Sequence, residues 1–193
     1  MARTREFDRA LAVRAARAYF WEHGYEAASI SGLEEATGLN RSSIYNEFGS
    51  KRGLFDAAVE SYLAEIVRPR LRPLVADAVS ADALAAYLDG LASAIAVPAS
   101  PAAANGCLLI NAAGAPISRD TEVARVIEGY RRELRDAIGR GVDAARPTDA
   151  EPDRRQTADA VTGLVVAALA LARPAPDAAA DALATARALA GRG

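Results

Sequence analysis

The chain has 193 residues and a formal net charge of −2 at pH 7, enough for one large domain or two small ones with a buried core. About a quarter of the residues are Ala and Lys51 is the only lysine, and this excess of helix formers over β-branched and aromatic residues predicts an all-α fold. Near neutrality excludes a protein that coats nucleic acid by bulk positive charge, and one Cys with one His exclude a disulfide framework and a Cys/His zinc cluster.

The first third of the sequence predicts four helices separated by glycine turns. The second helix is expected to start at Ser29 or Ser31, and Ser31 with Glu34 has the spacing of a capping box. Asn40 is expected to cap the third helix. The predicted helices cover Glu6–His23, Ser29 or Ser31 to Thr37, Arg41–Glu47 and Lys51 to about Arg68, with breaks at Gly24, Gly38, Gly49 and Pro69.

The remainder of the chain is predicted to form a second helical region punctuated by prolines. Its longest predicted helix, Asp120–Ala145, carries one continuous apolar stripe. A polar loop is expected over Pro147–Pro152. The other predicted helices cover Ala81–Val97, Gly106–Ala113, Arg154–Ala172 and Asp177–Leu189.

The final helix pair predicts contact with a second subunit. Thr162 is the only polar side chain between Ala160 and Ala172, and this stretch is shorter than the roughly 20 residues that cross a bilayer. A helix that is apolar on every side has a second face to bury, which a partner subunit would cover; a central core helix is the alternative. The residues expected at a homodimer interface are Val161, Leu164, Val165, Ala168, Leu169, Leu183, Ala186 and Leu189.

The segment from Ser29 to Phe48 has the layout of a helix-turn-helix. Ile44 and Phe48 are four residues apart and are predicted to face inward. Arg and Asn suit guanine and adenine edges, while Ser and Tyr suit phosphates. A short helical hairpin without a DNA-binding role can have the same pattern. The side chains left to face outward are Arg41, Ser42, Ser43, Tyr45 and Asn46.

A second feature points to phosphate binding. Lys51 and Arg52 fall in the first turn of the fourth predicted helix, where the helix dipole disfavours cations. Free N–H groups and two positive side chains would together hold a phosphate. Ser29, at the start of the second helix, could present its hydroxyl to the other side of the groove. A solvated charge pair is the alternative explanation for Lys51 and Arg52.

The run FWEHGYEAASI from Phe20 to Ile30 and the run GLNRSSIYNEFGSK from Gly38 to Lys51 resemble the TetR family of transcriptional regulators. The resemblance extends over about residues 7–62, and NGCLLINAA from Asn105 to Ala113 resembles a segment of the family's ligand domain. It implies a helix-turn-helix DNA-binding domain over 1–50 and a ligand-binding and dimerisation domain over 51–193, joined by the helix 51–68. It also implies a homodimer on a palindromic operator and a small-molecule inducer.

Position by position, the resemblance assigns phosphate contacts to Ser29, Tyr45 and Lys51, and the groove-lining role to Arg41, Ser42, Ser43 and Asn46.

The sequence departs from the family pattern at Gly32, which replaces a larger residue and would weaken the second helix by roughly 1 kcal/mol. Residues 1–55 carry eight basic and seven acidic side chains, so DNA affinity is expected to depend on individually placed contacts. Arg3, Arg5 and Arg9 are expected to add minor-groove or phosphate contacts.

No arrangement of residues typical of an enzyme or a metal site is present in the sequence, and no cofactor is expected.

Cys107 follows Gly106 at a predicted helix start, where a thiol can become reactive. The other interpretation of Cys107 is a small buried hydrophobic side chain. The residues predicted for a ligand pocket are Tyr62, Tyr87, Cys107, Asn111 and Tyr130.

The sequence therefore predicts a dimeric, ligand-released repressor that binds double-stranded DNA in the cytoplasm and has no membrane segment. Two alternatives remain open at this point. One is a repressor that senses oxidants or electrophiles through Cys107. The other is a helical small-molecule-binding protein in which the helix-turn-helix has no DNA function.

Overall fold

The computed structural model describes residues 2–98 and 100–191, with side chains from Arg9 onward. Every regular element in these residues is helical, which confirms the all-α prediction. The α-helices are α1 (Ala2–Ala27), α2 (Ile30–Thr37), α3 (Arg41–Phe48), α4 (Lys51–Tyr62), α5 (Arg68–Leu71), α6 (Ala83–Ala96), α7 (Pro101–Asn105), α8 (Leu108–Ala113), α9 (Thr121–Ala145), α10 (Glu151–Leu171) and α11 (Pro176–Ala190). A π-helical turn covers Leu63–Val67, and 3₁₀ turns cover Arg72–Leu74 and Pro116–Arg119.

Two helix ends differ from the sequence prediction because of prolines. The fourth predicted helix was expected to stop at Pro69, yet the chain stays helical to Leu71. The wide π turn before Pro69 gives the proline ring the space that it lacks inside a regular α-helix. The polar loop expected up to Pro152 ends earlier, because Pro152 lies in the first turn of α10, where its missing N–H costs nothing.

The first four helices pack around an aromatic and aliphatic core. Leu33 of α2 and Ile44 of α3 are fully buried. Phe20 of α1 meets Phe55 of α4 edge to face, with 5.2 Å between ring centroids. Since α3 is too short to be stable alone, its packing against α2 and α4 holds it in place.

The hydrophobic core continues without a break from the first helices into the second region. Trp21 of α1 donates its Nε1–H to the carbonyl oxygen of Gly106 at 3.2 Å and meets Tyr62 of α4 edge to face, with ring centroids 5.0 Å apart. The segment before residue 50 is therefore attached to the rest of the chain by α1 as well as by α4.

The structure corrects the position expected for most of the predicted dimer-interface residues. Helices α10 and α11 pack mainly on each other, on α9 and on α6, so their larger apolar side chains fill the core of the protomer itself. Leu164 and Leu189 are only half-buried. The six that are buried inside the protomer are Val161, Val165, Ala168, Leu169, Leu183 and Ala186.

The outward face of α10 carries small residues instead. Ala160, Gly163 and Ala170 are exposed, and Ala167 is half-buried. The sequence could not separate the two faces of α10, because both are apolar. Only the packing of α11 against one of them shows which face remains open.

Across the residues described here, no single helix is long and apolar enough to cross a lipid bilayer. The pair formed by Ala83–Ala96 and Pro101–Arg119 reaches that length and composition only jointly, across a bend of 81°.

Candidate nucleic-acid interface

The turn between α2 and α3 is built by side-chain caps and one left-handed residue. Ser29 Oγ accepts from Gly32 N–H at 3.0 Å and caps α2. The chain then reverses at Gly38, whose φ of +69° is readily adopted only by glycine. Asn40 Oδ1 accepts from Ser43 N–H at 2.8 Å and caps α3 as predicted.

The capping box expected between Ser31 and Glu34 is replaced by a longer-range bond. Glu34 Oε1 accepts from the backbone N–H of Arg41, the first residue of α3, at 2.5 Å. The carboxylate of α2 therefore satisfies a free N–H of α3 and holds the two helices at a defined angle. The sequence offered no local signal for this contact, because the two residues are seven positions apart.

The orientation of α3 leaves one polar face open to solvent. Ile44 points into the core and is fully buried. Ser43 is half-buried. The exposed side chains are Arg41, Ser42, Tyr45 and Asn46, with Ser29 exposed at the start of α2.

Two contacts pair side chains within this face. The Arg41 guanidinium lies over the Tyr45 ring, 5.7 Å from its centroid, and Asn46 Nδ2 lies 3.5 Å from Ser42 Oγ. Exposed contacts of this kind contribute only about 0.5–1 kcal/mol. They position donors at the surface without preventing their exchange for contacts to DNA.

Lys51 stands at the N-terminus of α4, next to the end of α3. Its Nζ lies 4.5 Å from the centroid of the Tyr25 ring. Partial burial lowers the pKa of Lys51, and the nearby Glu26 carboxylate opposes this shift. Ser50 Oγ caps the helix by accepting from Gly53 N–H at 3.0 Å. The ammonium group therefore stays beside a helix N-terminus, an arrangement suited to a phosphate.

Two other arginines predicted at this surface are already paired within the protein. Arg52 contacts Asp56 at 2.8 Å and Asp120 at 2.6 Å. It therefore does not form the phosphate site expected for it together with Lys51. Arg9 pairs with Glu47 at 3.0 Å and lies 5.3 Å from the Phe48 ring centroid, so it supports the end of α3. The side chains of Arg3 and Arg5 lie outside the described residues.

Two glycines near α3 are explained by close approach of other groups. A Cβ on Gly53 would lie 2.0 Å from the carbonyl oxygen of Phe48. A Cβ on Gly32 would lie 1.9 Å from the Tyr19 hydroxyl. The departure from the family pattern at Gly32 thus makes room for Tyr19, which stacks on His23 with 4.2 Å between ring centroids.

Sequence reasoning missed the polar contacts that join α1 to α4 and to the segments beyond it. Glu26 accepts from Ile117 N–H at 2.7 Å. Arg17 bonds to Ser61 Oγ and to Glu65 Oε2, each at 2.9 Å. These partners are 44 to 91 positions apart, and no local pattern marks them.

Four of the five residues predicted for a ligand pocket lie together in the second region. Cys107 is fully buried and its Sγ lies 3.7 Å from the Tyr130 hydroxyl. Tyr62 is buried against the same thiol, and Tyr87 is half-buried beside it. We call these four residues the tyrosine–cysteine cluster.

Burial raises the pKa of each tyrosine in the cluster well above its ordinary value, and the adjacent Cys107 raises it further. The three hydroxyls therefore stay protonated and remain hydrogen-bond donors. Asn111 lies apart from the cluster. Its side chain is exposed and donates to the carbonyl oxygen of Asn105 at 2.7 Å.

Known proteins share both the motif and the fold. The family described as "Bacterial regulatory proteins, tetR family" matches residues 12–58. The HTH-type transcriptional regulator YezE of Bacillus subtilis is 34% identical over 146 residues, covering 76% of this chain and 74% of that protein. The HTH-type transcriptional repressor ComR of Escherichia coli is 37% identical over 110 residues, which cover 56% of this chain and 51% of ComR.

A solved structure extends the likeness to almost the whole fold. A cysteine-substituted variant of the TetR family regulator CifR, complexed with a 26-base-pair operator duplex, superposes with a TM-score of 0.74 at 28% identity. The superposition covers 94% of each chain. From its helix-turn-helix segment to its last helix pair, the chain belongs to the TetR family of bacterial transcriptional regulators, which are not enzymes.

Proposed function

We propose that the protein is a homodimeric transcriptional repressor that binds a palindromic double-stranded operator through α3 and is released by a small-molecule inducer. The observation that carries the proposal is the open polar face of α3, opposite the buried Ile44. Two comparisons support the proposal: the structure of the CifR variant contains operator DNA, and ComR is named as a transcriptional repressor. Because operator DNA is in the cytoplasm of a bacterium, we propose that the protein works there.

On this proposal, each side chain of the face contributes according to its chemistry. Arg41 and Asn46 would contact base edges in the major groove, with guanine and adenine as their preferred partners. Ser42 and Ser43 would line the same groove. Tyr45, Ser29 and Lys51 would contact phosphates on either side and fix the position of the helix. We propose residues 1–50 as the reading domain and residues 51–193 as the ligand-binding and dimerisation domain.

The outward face of α10 supports a homodimer. Its Ala160, Gly163, Ala167 and Ala170 are small and at least partly open to solvent, which allows a second copy of α10 to approach closely. We propose that two copies pack through this face, with α11 beside it. Such a dimer would present two α3 helices to successive major grooves, about 34–36 Å apart.

The tyrosine–cysteine cluster supports an inducer site in the second domain. It places three protonated hydroxyls among apolar side chains, an arrangement suited to a mainly apolar molecule with few polar groups. We propose that the inducer replaces hydrogen bonds within the cluster. Helix α4 joins the cluster at Tyr62 to Lys51 at the DNA-facing end, so it would transmit the change.

Fluorescence anisotropy with DNA flanking the gene tests the proposal. Replacing Arg41 with Ala is expected to weaken binding by about 1–3 kcal/mol, roughly 5- to 150-fold, because a base contact is lost. Lys51→Met should weaken binding to all sequences and reduce the salt-dependence slope by about 1. Arg132→Ala is the matched control, since Arg132 is an exposed arginine on α9 in the second domain.

Two results would contradict the proposal. One is no binding to the flanking DNA at low salt. The other is an equal loss of affinity in Arg41→Ala and Arg132→Ala, because the loss would then reflect total charge and not contacts made by α3.

A further inference from the structure

Glu34 forms the hydrogen bond that links α2 to the first residue of α3. Its side chain is half-buried, and its Oε1 accepts from the backbone N–H of Arg41 at 2.5 Å. Within the part of the chain that the structure describes, no other hydrogen bond joins α2 to α3. The core beneath the two helices, which includes Leu33 and Ile44, is apolar, and apolar packing has little directional preference. The bond to Arg41 therefore fixes how the start of α3 is oriented relative to α2.

This bond acts on the residue that is proposed to read a base. Arg41 is the first residue of α3, and its guanidinium lies on the exposed face, over the Tyr45 ring. Asn40 already caps α3 by accepting from a different N–H, that of Ser43. Since α3 is capped without Glu34, the separate effect of the Glu34 carboxylate is to hold the backbone of Arg41.

The charge of Glu34 has the opposite effect on DNA binding. A carboxylate beside Arg41 repels the phosphates of any DNA that α3 approaches, whatever its sequence. Glu35, the next residue of α2, is an exposed carboxylate with no hydrogen bond to any group that the structure describes. The two neighbouring acidic residues therefore carry the same charge and differ in the bond to α3.

We propose that Glu34 is a positioning residue that sets how strongly the protein discriminates its operator from other DNA. Contacts to base edges distinguish an operator from other sequences, whereas contacts to phosphates do not. The bond to Arg41 therefore raises the affinity for the operator alone, and the charge lowers the affinity for all DNA. Glu34 has this role only if α3 binds DNA as proposed above.

Fluorescence anisotropy tests this with the flanking operator fragment and a scrambled duplex of the same length and composition. Glu34→Gln keeps an acceptor oxygen and removes the charge, so both affinities should rise about two- to fivefold and their ratio should stay within about twofold. Glu34→Ala also removes the bond. Its affinity for the scrambled duplex should rise in the same way, while the ratio of operator to scrambled affinity falls about tenfold because the base contact of Arg41 is weakened.

Glu35→Ala is the matched control, because it removes a charge from the adjacent position of α2 without removing a bond to α3. It should leave the ratio of the two affinities unchanged. A variant that merely unfolded part of the molecule would lower both affinities by the same factor, so the ratio separates positioning from loss of structure.

Amide hydrogen exchange on the full chain without DNA tests the contact itself. The N–H of Arg41 should exchange about tenfold faster in Glu34→Ala than in the unmodified chain or in Glu34→Gln, because its acceptor is gone. The N–H of Ser43, which Asn40 holds, should exchange at the same rate in all three proteins.

Three results would overturn the role of Glu34. They are an unchanged affinity ratio in Glu34→Ala, an equal fall of the ratio in Glu34→Gln or Glu35→Ala, and unchanged exchange of the Arg41 N–H in Glu34→Ala. If the unmodified chain itself binds the operator fragment and the scrambled duplex equally, the proposed function fails and discrimination by Glu34 fails with it. If the unmodified chain prefers the operator and Glu34→Ala prefers it to the same extent, the role of Glu34 fails by itself.

Discussion

At the scale of single residues, the backbone around α3 depends on glycines at positions where a side chain would be strained or would clash. Gly53 is the sharpest case, because its missing side chain leaves room for the carbonyl oxygen of Phe48 at the end of α3. The relation between α3 and α4 is thus set by backbone contact as well as by the buried Ile44.

Replacing Gly53 with Ala is expected to lower the free energy of unfolding by about 2 kcal/mol, because a Cβ 2.0 Å from a backbone oxygen forces the helices apart. Chemical denaturation measures this loss. Gly90→Ala is the control: Gly90 lies in α6 with open space around it, and the change should stabilise the chain by about 0.5–1 kcal/mol. Equal effects of the two changes would rule out the steric explanation.

Cys107 gives a second prediction at this scale. Its thiol is fully buried in the tyrosine–cysteine cluster, which favours its interpretation as a core residue over that of an exposed sensor. A thiol-specific reagent should therefore react about a hundredfold or more slowly with the native chain than with the chain in guanidinium chloride, because reaction requires local opening. Equal rates in the two conditions would support the sensing alternative.

At the scale of secondary-structure elements, the long connection that begins at α4 is not a uniform helix. The π turn at Leu63–Val67 widens it, and Glu65 in this turn accepts hydrogen bonds from Arg14 and Arg17 of α1. The irregular segment is therefore held by ion pairs to the first helix, and these pairs cross the boundary between the two proposed domains.

The stability contributed by Glu65 should depend on pH. Hydrogen bonds from Arg17 and Arg14 lower the pKa of Glu65 below its ordinary value of 4.5. A lowered pKa in the folded state adds stability above the pKa of the unfolded chain, and this stability is lost as the pH falls through the folded-state pKa. Glu65→Gln should therefore destabilise the chain at pH 7 by at most about 1 kcal/mol, since the pair is exposed.

Chemical denaturation of the unmodified chain and of Glu65→Gln between pH 7 and pH 3 tests the pH dependence of this contribution to stability. The difference between the unmodified chain and Glu65→Gln should shrink toward the acid end, because a protonated Glu65 resembles Gln. Glu60→Gln on the neighbouring turn is the control and should show little difference at either pH. A difference that is constant with pH would exclude the ion pairs as its cause.

At the scale of the whole molecule, the two proposed domains share one core. Trp21, Glu26 and Arg52 each contact the region beyond residue 100, so a change in the second region reaches α1 and α4 together. A rotation of the proposed reading domain would have to exchange the contacts of Trp21 and Glu26, so we expect α1 as well as α4 to take part in the proposed response.

The proposed dimer leads to a prediction at this scale. Ala167→Arg places a charged side chain in the middle of the outward face of α10. Because burying this charge at the interface is unfavourable, the molecular mass in solution should fall from that of two chains to the 20.1 kDa of a single chain. Light scattering after size-exclusion chromatography measures the mass. Ala86→Arg, at an exposed site of α6, should leave the dimer intact. An unchanged mass in Ala167→Arg would place the interface elsewhere.

The sequence by itself determined the helical class, the turn at Gly38, the cap at Asn40 and four of the five outward side chains predicted for α3, of which Ser43 is half-buried. These features depend on neighbours a few residues apart, through backbone conformation, capping and the spacing of apolar residues along a helix. For the Cys107–Tyr130 contact, the sequence predicted only that both residues belong to one ligand pocket.

Only the tertiary structure decided which face of α10 is open, that Arg52 and Arg9 are paired internally, and that Asn111 lies apart from the tyrosine–cysteine cluster. Each of these depends on residues far apart in the chain. In an Ala-rich helix that is apolar all round, the sequence carries no periodic difference between a face covered by its own chain and a face left for a partner, so packing alone makes that distinction.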